Sequence, residues 1–176
     1  MPIDADTLAE LPLFKGLNTS ELEEIAAMLS LDAVPAGKTL IREGDNAAHP
    51  IFVLMQGTVE VVKQGLDGRG HVISTLAAPS VFGEIEVLAR RPAIATVNSV
   101  SDVRVATLSR GEFDQMCGAN RSAALKMVRN LAQVLSYRLA ATDDRLAAQF
   151  DLSIAGNVVK VGELRQALYG GWKVPG

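Results

Sequence analysis

The chain has 176 residues, 48% of them hydrophobic, with 17 Lys and Arg against 20 Asp and Glu for a net charge of −3. That size suits one domain with an appendage, large enough to bury a core without disulfides, and the near-balanced charge gives no global drive toward nucleic acid. The one cysteine, Cys117, forms no internal disulfide, apolar runs such as Ile51 to Met55 are too short to span a bilayer, and no charged lead precedes an apolar run as in a secretory leader. A cytoplasmic protein without a membrane segment is expected.

Residues Leu8 to Leu17 read as a short helical or irregular lead-in interrupted by Pro12. Asn18, three residues before Glu21, has the spacing of a capping box, in which each side chain bonds the other's backbone amide. Leu22, Ile25, Ala26 and Leu29 follow at helical spacing, so one amphipathic helix is expected to end near Ser30.

From Val34 to Leu108 short apolar runs are broken by Gly, Pro, Asn and Asp. Strand-like segments are Lys38 to Arg42, Ile51 to Met55, Thr58 to Lys63, His71 to Leu76, Ala95 to Val100 and Val103 to Ser109. Many short strands with turn signals between them indicate an antiparallel sandwich or barrel. Asp67-Gly68 is a hairpin signal.

Helical periodicity returns after Ser109. A short helix carries Glu112, Phe113 and Met116 and breaks at Gly118. A long helix is expected from about Arg121 to Gln149, a span without Gly or Pro. Within it Leu125, Val128, Ala132, Leu135, Leu139, Thr142, Leu146 and Gln149 recur at steps of three and four, a heptad seam. The seam either packs on its own domain or pairs with a second copy, and its length and regularity favour a homodimer. The expected organisation is residues 1–118 as helix plus β domain, 119–150 as the long helix and 151–176 as a tail with a short helix from Val161 to Leu168.

The segment richest in chemistry is Phe82-Gly83-Glu84-Ile85-Glu86-Val87-Leu88-Ala89-Arg90-Arg91-Pro92-Ala93-Ile94-Ala95-Thr96-Val97. A glycine before a helix start lets backbone amides approach an anion, and a buried carboxylate such as Glu84 can accept from sugar hydroxyls. Glu84 is read either as such a ligand or as a residue capping the helix, and Gly44, Gly57 and Gly83 as turn formers.

This segment resembles the phosphate-binding cassette of cyclic-nucleotide-binding domains, whose pattern is F-G-E-L, apolar residues, then P-R-A-A-T/S-V. The resemblance extends to Leu13-Phe14-Lys15-Gly16-Leu17, to Gly37 through Asp45, to Ile51 through Val61 and to Leu108 through Phe113. It implies a mainly β fold with flanking helices: an eight-stranded antiparallel β-roll of jelly-roll or cupin-like form, with a long C-terminal helix as lid or dimer seam. Gly83 and Glu84 match the family's glycine and ribose-binding glutamate.

The departures bear on function. The family's phosphate-binding arginine falls on Ala93, and the next position, usually Ala, Ser or Thr, is Ile94. Glu86 stands where the family has a small residue whose backbone amide faces the phosphate. A guanidinium–phosphate pair contributes roughly 1.5–3 kcal/mol per bond, so its loss costs about tenfold to a hundredfold in affinity per bond. Glu86 is expected to add like-charge repulsion. Arg91 precedes Pro92 rather than following it; it is the candidate substitute clamp, weighed against a solvated loop arginine.

His49 and His71 are isolated and lack metal-ligand spacing, and no nucleophile elbow or phosphate loop of the nucleotide-hydrolase kind is present. No enzyme, metal site or cofactor is expected; a cyclic nucleotide is the candidate ligand, bound weakly or not at all. Residues 151–176 leave no room for a winged helix-turn-helix, so no DNA binding is expected. Two readings stand side by side: a small-molecule-sensing regulatory module, with Phe82, Gly83, Glu84, Ile85, Glu86, Arg91, Ala93, Ile94, Ala95 and Thr96 as its tentative ligand site, and a homodimeric protein-interaction module that binds no nucleotide.

Overall fold

The computed structural model describes residues 3–154. Two helices, α1 (Ala5–Ala9) and α2 (Thr19–Met28), flank a 3-10 turn at Pro12–Phe14 in which Pro12 sits where its missing N–H has no helical partner to lose. The capping box at the start of α2 is formed: the Glu21 amide donates to Asn18 at 2.9 Å and the Asn18 amide donates to the Glu21 carboxylate at 2.7 Å.

Eight strands follow: β1 (Ser30–Val34), β2 (Thr39–Ile41), β3 (Ile51–Gln56), β4 (Thr58–Gln64), β5 (Gly70–Ala77), β6 (Ser80–Phe82), β7 (Thr96–Ser99) and β8 (Val103–Leu108). They form two four-stranded antiparallel sheets, in the orders β1-β8-β3-β6 and β2-β7-β4-β5. The eight-stranded roll with flanking helices and a long C-terminal helix is therefore present. Local periodicity had exposed six of the strands. The helix α2 ends at Met28, close to the expected end near Ser30, and Ser30 opens β1.

β3 explains why the Ile51 to Met55 run does not alternate. It is buried on both faces. Ile51 and Val53 belong to a core shared with the helices, while Phe52 and Leu54 belong to a second core between the sheets. β6 and β8 divide in the same way: Val81, Ala106 and Leu108 face the helices, and Phe82, Val103 and Val105 face the other sheet. The cassette lies between β6 and β7, so it joins one sheet to the other.

The helix α4 (Arg110–Gly118) leads into α5 (Ser122–Ile154). The chain divides into two units, Met1–Gln133 and Val134–Gly176. In the first, Ala123, Ala124, Met127 and Leu131 of α5 are buried in the helix-side core, where Met127 and Leu131 each contribute about 1.5–3 kcal/mol by burial. Asn130 is buried beside them and donates to the carbonyls of Leu13 and Lys15 at 2.8 and 2.9 Å. In the second unit, α5 continues to Ile154. The expected short helix at Val161 to Leu168 lies outside the described residues.

Candidate functional site

The cassette is a strand–helix–turn–strand connection. Phe82 ends β6 and stacks on Phe52 of β3, with ring centroids 4.7 Å apart and planes 6° from parallel. Gly83 then takes φ +78°, and α3 (Glu84–Ala89) begins. A methyl group at Gly83 would lie 2.6 Å from the Pro50 carbonyl oxygen, so the position admits no side chain. Gly83 is thus required by the turn itself.

Glu84 is 1% exposed at the first residue of α3, and Ile85 is half-buried. The helix closes at Arg90, a non-glycine residue in the left-handed region at φ 50°. The Arg90 guanidinium lies 3.1 Å from the Asp114 carboxylate on α4, which Arg110 approaches at 3.8 Å. One end of the cassette helix is thus tied to the helix that precedes α5.

The exit of the cassette is held by backbone and side-chain bonds from three directions. The Ala93 amide donates to the Asp45 carbonyl at 2.9 Å, and the Gly44 amide donates to the Ala93 carbonyl at 2.8 Å. The Glu43 amide donates to the Thr96 hydroxyl at 3.0 Å. The Ile94 amide donates to the Glu86 carboxylate at 3.1 Å, and the Lys63 ammonium donates to the Ile94 carbonyl and to Glu43. The Gln64 amide also donates to Glu43, at 2.9 Å, and together Lys63 and this amide hold the Glu43 carboxyl below its ordinary pKa.

These distances place the ten sequence-derived site residues. Phe82, Ala93 and Ala95 are buried, Phe82 and Ala93 in the inter-sheet core. Glu86 and Ile94 are brought into direct contact, and Thr96 caps the Glu43 amide. Arg91 is exposed and makes no ion pair among the described residues. The sequence reading missed Glu43 and Lys63; Glu43 lay inside the Gly37 to Asp45 match, whereas Lys63 carried no local signal. Arg90, weighed with Arg91 as an inward-reaching arginine, pairs with Asp114 instead.

His49 and His71 each sit beside an aspartate four residues earlier, His49 at 3.4 Å from Asp45 and His71 at 3.2 Å from Asp67. Among the described residues no three metal-ligating side chains cluster, and no helix is long and apolar enough to cross a membrane.

On the seam, Leu125 is 67% exposed and Val128 37% exposed in the first unit, with Ala132 exposed. In the second unit Leu139 is 47% exposed, and Leu135 and Leu146 are half-buried.

A family model for the cyclic nucleotide-binding domain matches residues 31–120. A CRP-like cAMP-activated global transcriptional regulator of Mycobacterium tuberculosis is 22% identical over 155 residues, covering 88% of this chain and 67% of the relative. A solved cyclic nucleotide-binding domain from Methylobacillus flagellatus superposes with a TM-score of 0.73 at 21% identity, covering 83% of this chain and 82% of that one. The regulatory subunit of a cAMP-independent protein kinase A from Trypanosoma brucei, solved also as a triple mutant bound to cAMP, superposes with a TM-score of 0.64 at 24% identity, covering 78% of this chain and 49% of that one. The chain spans between 26% and 67% of the length of the curated relatives it matches.

Proposed function

The chain belongs to the cyclic nucleotide-binding domain family, and from that membership we propose that it is a non-catalytic regulatory module whose cassette takes neither cAMP nor cGMP with sub-micromolar affinity. The observation that carries this reading is Ala93. It occupies the position where the resemblance puts the phosphate-binding arginine, and it is 3% exposed in the inter-sheet core. A methyl group there supplies no charge-assisted hydrogen bond to a phosphate. Arg91 does not replace it, because its side chain is exposed in the loop before Pro92.

The trypanosomal comparison supports the reading. The cAMP-bound mutant of that cAMP-independent subunit replaces a glutamate with alanine and, seven and eight residues further on, a threonine with arginine and a valine with alanine. Glu86, Ala93 and Ile94 stand at the same spacing here. The corresponding change in this chain is Glu86→Ala with Ala93→Arg and Ile94→Ala. Calorimetric titration of that triple variant tests the proposal: measurable cAMP or cGMP binding is expected, and no gain over the native chain would contradict it.

A second observation favours a homodimer as the working form. Leu125 and Val128 in the first unit, and Leu139 in the second, are exposed at heptad positions of α5, and large exposed apolar side chains at that spacing favour association. Signalling then runs through protein contacts made by this surface.

A further inference from the structure

The Ile94 amide points to a role for Glu86 beyond charge. Residue 94 directly follows the position where the resemblance puts the phosphate-binding arginine, so its amide is a backbone donor beside the place of the missing clamp. In this chain the amide already has an acceptor, the Glu86 carboxylate at 3.1 Å. Glu86 is buried, on the third residue of α3, and its carboxylate reaches back across eight residues of sequence. The Ile94 carbonyl accepts from Lys63. Both backbone groups of Ile94 are therefore satisfied by charged side chains of opposite sign, one from the cassette helix and one from β4.

We propose that the Glu86 carboxylate is the cassette's built-in anion: it occupies the Ile94 amide, holds α3 to the cassette exit without a ligand, and excludes an external oxyanion by occupancy. This deepens the reading above and rests on it for the identity of the excluded ligand. A buried carboxylate that accepts a backbone N–H does what a bound phosphate oxygen does, through a charge-assisted hydrogen bond. It does so at a fixed position, with no association entropy to offset. Occupancy and repulsion make different demands on the residue. Repulsion requires the negative charge. Occupancy requires only an acceptor oxygen of the same reach, which glutamine also has.

Two measurements separate these demands. The first uses the ligand-free chain and needs no nucleotide. Amide hydrogen exchange at Ile94 is compared in the native protein, Glu86→Ala and Glu86→Gln, with Val53 of the doubly buried β3 as the internal reference. Exchange at Ile94 should rise at least about tenfold in Glu86→Ala while Val53 is unchanged, and should stay near native in Glu86→Gln. Equal Ile94 protection in all three proteins overturns the proposal. The second measurement titrates cAMP into the Ala93→Arg, Ile94→Ala background with either Glu86→Ala or Glu86→Gln added. The alanine version should bind at least about tenfold more tightly than the glutamine version. Equal affinity would assign the effect to charge and overturn occupancy. If neither binds, the arginine-clamp reading fails, and the exchange measurement decides the role of Glu86 by itself.

Discussion

The Lys126 ammonium on α5 donates to the Glu21 carboxylate on α2 at 2.7 Å, and the Ser122 hydroxyl and Asn18 amide donate to the same carboxylate. Three donors from opposite ends of the folded unit thus meet on one buried acid. With Arg121 on Glu24 at 2.7 Å, this network fixes the start of α5 against the N-terminal helices. The roll and the long helix are joined here by polar contacts as well as by the apolar packing of Met127 and Leu131.

These donors, Lys126 foremost and then Ser122 and the Asn18 amide, lower the Glu21 pKa from 4.5 to about 2. A carboxyl depressed on folding contributes stability that is fully present above its unfolded pKa and is lost as pH falls toward its folded one. Thermal stability of the native chain should therefore decline between about pH 5 and pH 2. Glu21→Gln should be less stable at neutral pH, by about 1.5–3 kcal/mol for the charged hydrogen bonds removed, and should show a shallower acid decline. Melting curves across that range provide the check. An unchanged acid limb in the variant would place the acid sensitivity elsewhere.

Gly83 offers a second test, of the cassette's backbone. Its φ of +78° and the 2.6 Å approach of a built methyl group to the Pro50 carbonyl make alanine doubly unfavourable. Gly83→Ala should cost about 1–3 kcal/mol, read as a fall in Tm without any ligand present. A variant as stable as the native chain would mean that the turn relaxes freely and does not require Gly83.

The seam predicts an assembly. A dimer buries Leu125, Val128 and Leu139 at roughly 25 cal/mol per Å² of apolar area, and Ala132 is small enough for close helix approach. Light scattering at tens of micromolar should give a dimer mass. Leu135→Asp with Leu139→Asp should lower it to the monomer by placing unpaired charge in the seam. A monomer mass for the native protein would contradict the dimer reading.

Much of this architecture was readable from residue order, and the exceptions have physical causes. The β3 run was legible because burial on both faces leaves five apolar residues in succession. β1 was not, because Ser30-Leu31-Asp32-Ala33-Val34 mixes exposed and half-buried positions and has no alternation to read. β6 has three residues, too few for any period, and only its last, Phe82, fell inside the cassette motif. The capping box at Asn18 and Glu21 could be read because both partners lie within one helical turn. The pair Lys63 and Glu43 spans twenty residues and depends on how β4 lies beside the turn after β2. On α5 the seam stripe is the more regular pattern, while the face that anchors the helix, with Ala123, Ala124, Met127 and Leu131, lies beside it at a different phase. Glu86 could be read as an acid in the wrong place, but the sequence did not reveal that its carboxylate bonds the Ile94 amide.

The central claim is that the cassette keeps its shape and lacks its anion clamp. Calorimetric titration of the native chain with cAMP and with cGMP, beside the Glu86→Ala, Ala93→Arg, Ile94→Ala variant, tests it most directly. The claim predicts no binding, or a Kd above the micromolar range, for the native chain with either nucleotide, and binding restored by the equivalent of one or more charge-assisted bonds in the variant, about tenfold to a hundredfold each. A native-chain Kd below a micromolar for either nucleotide would contradict it.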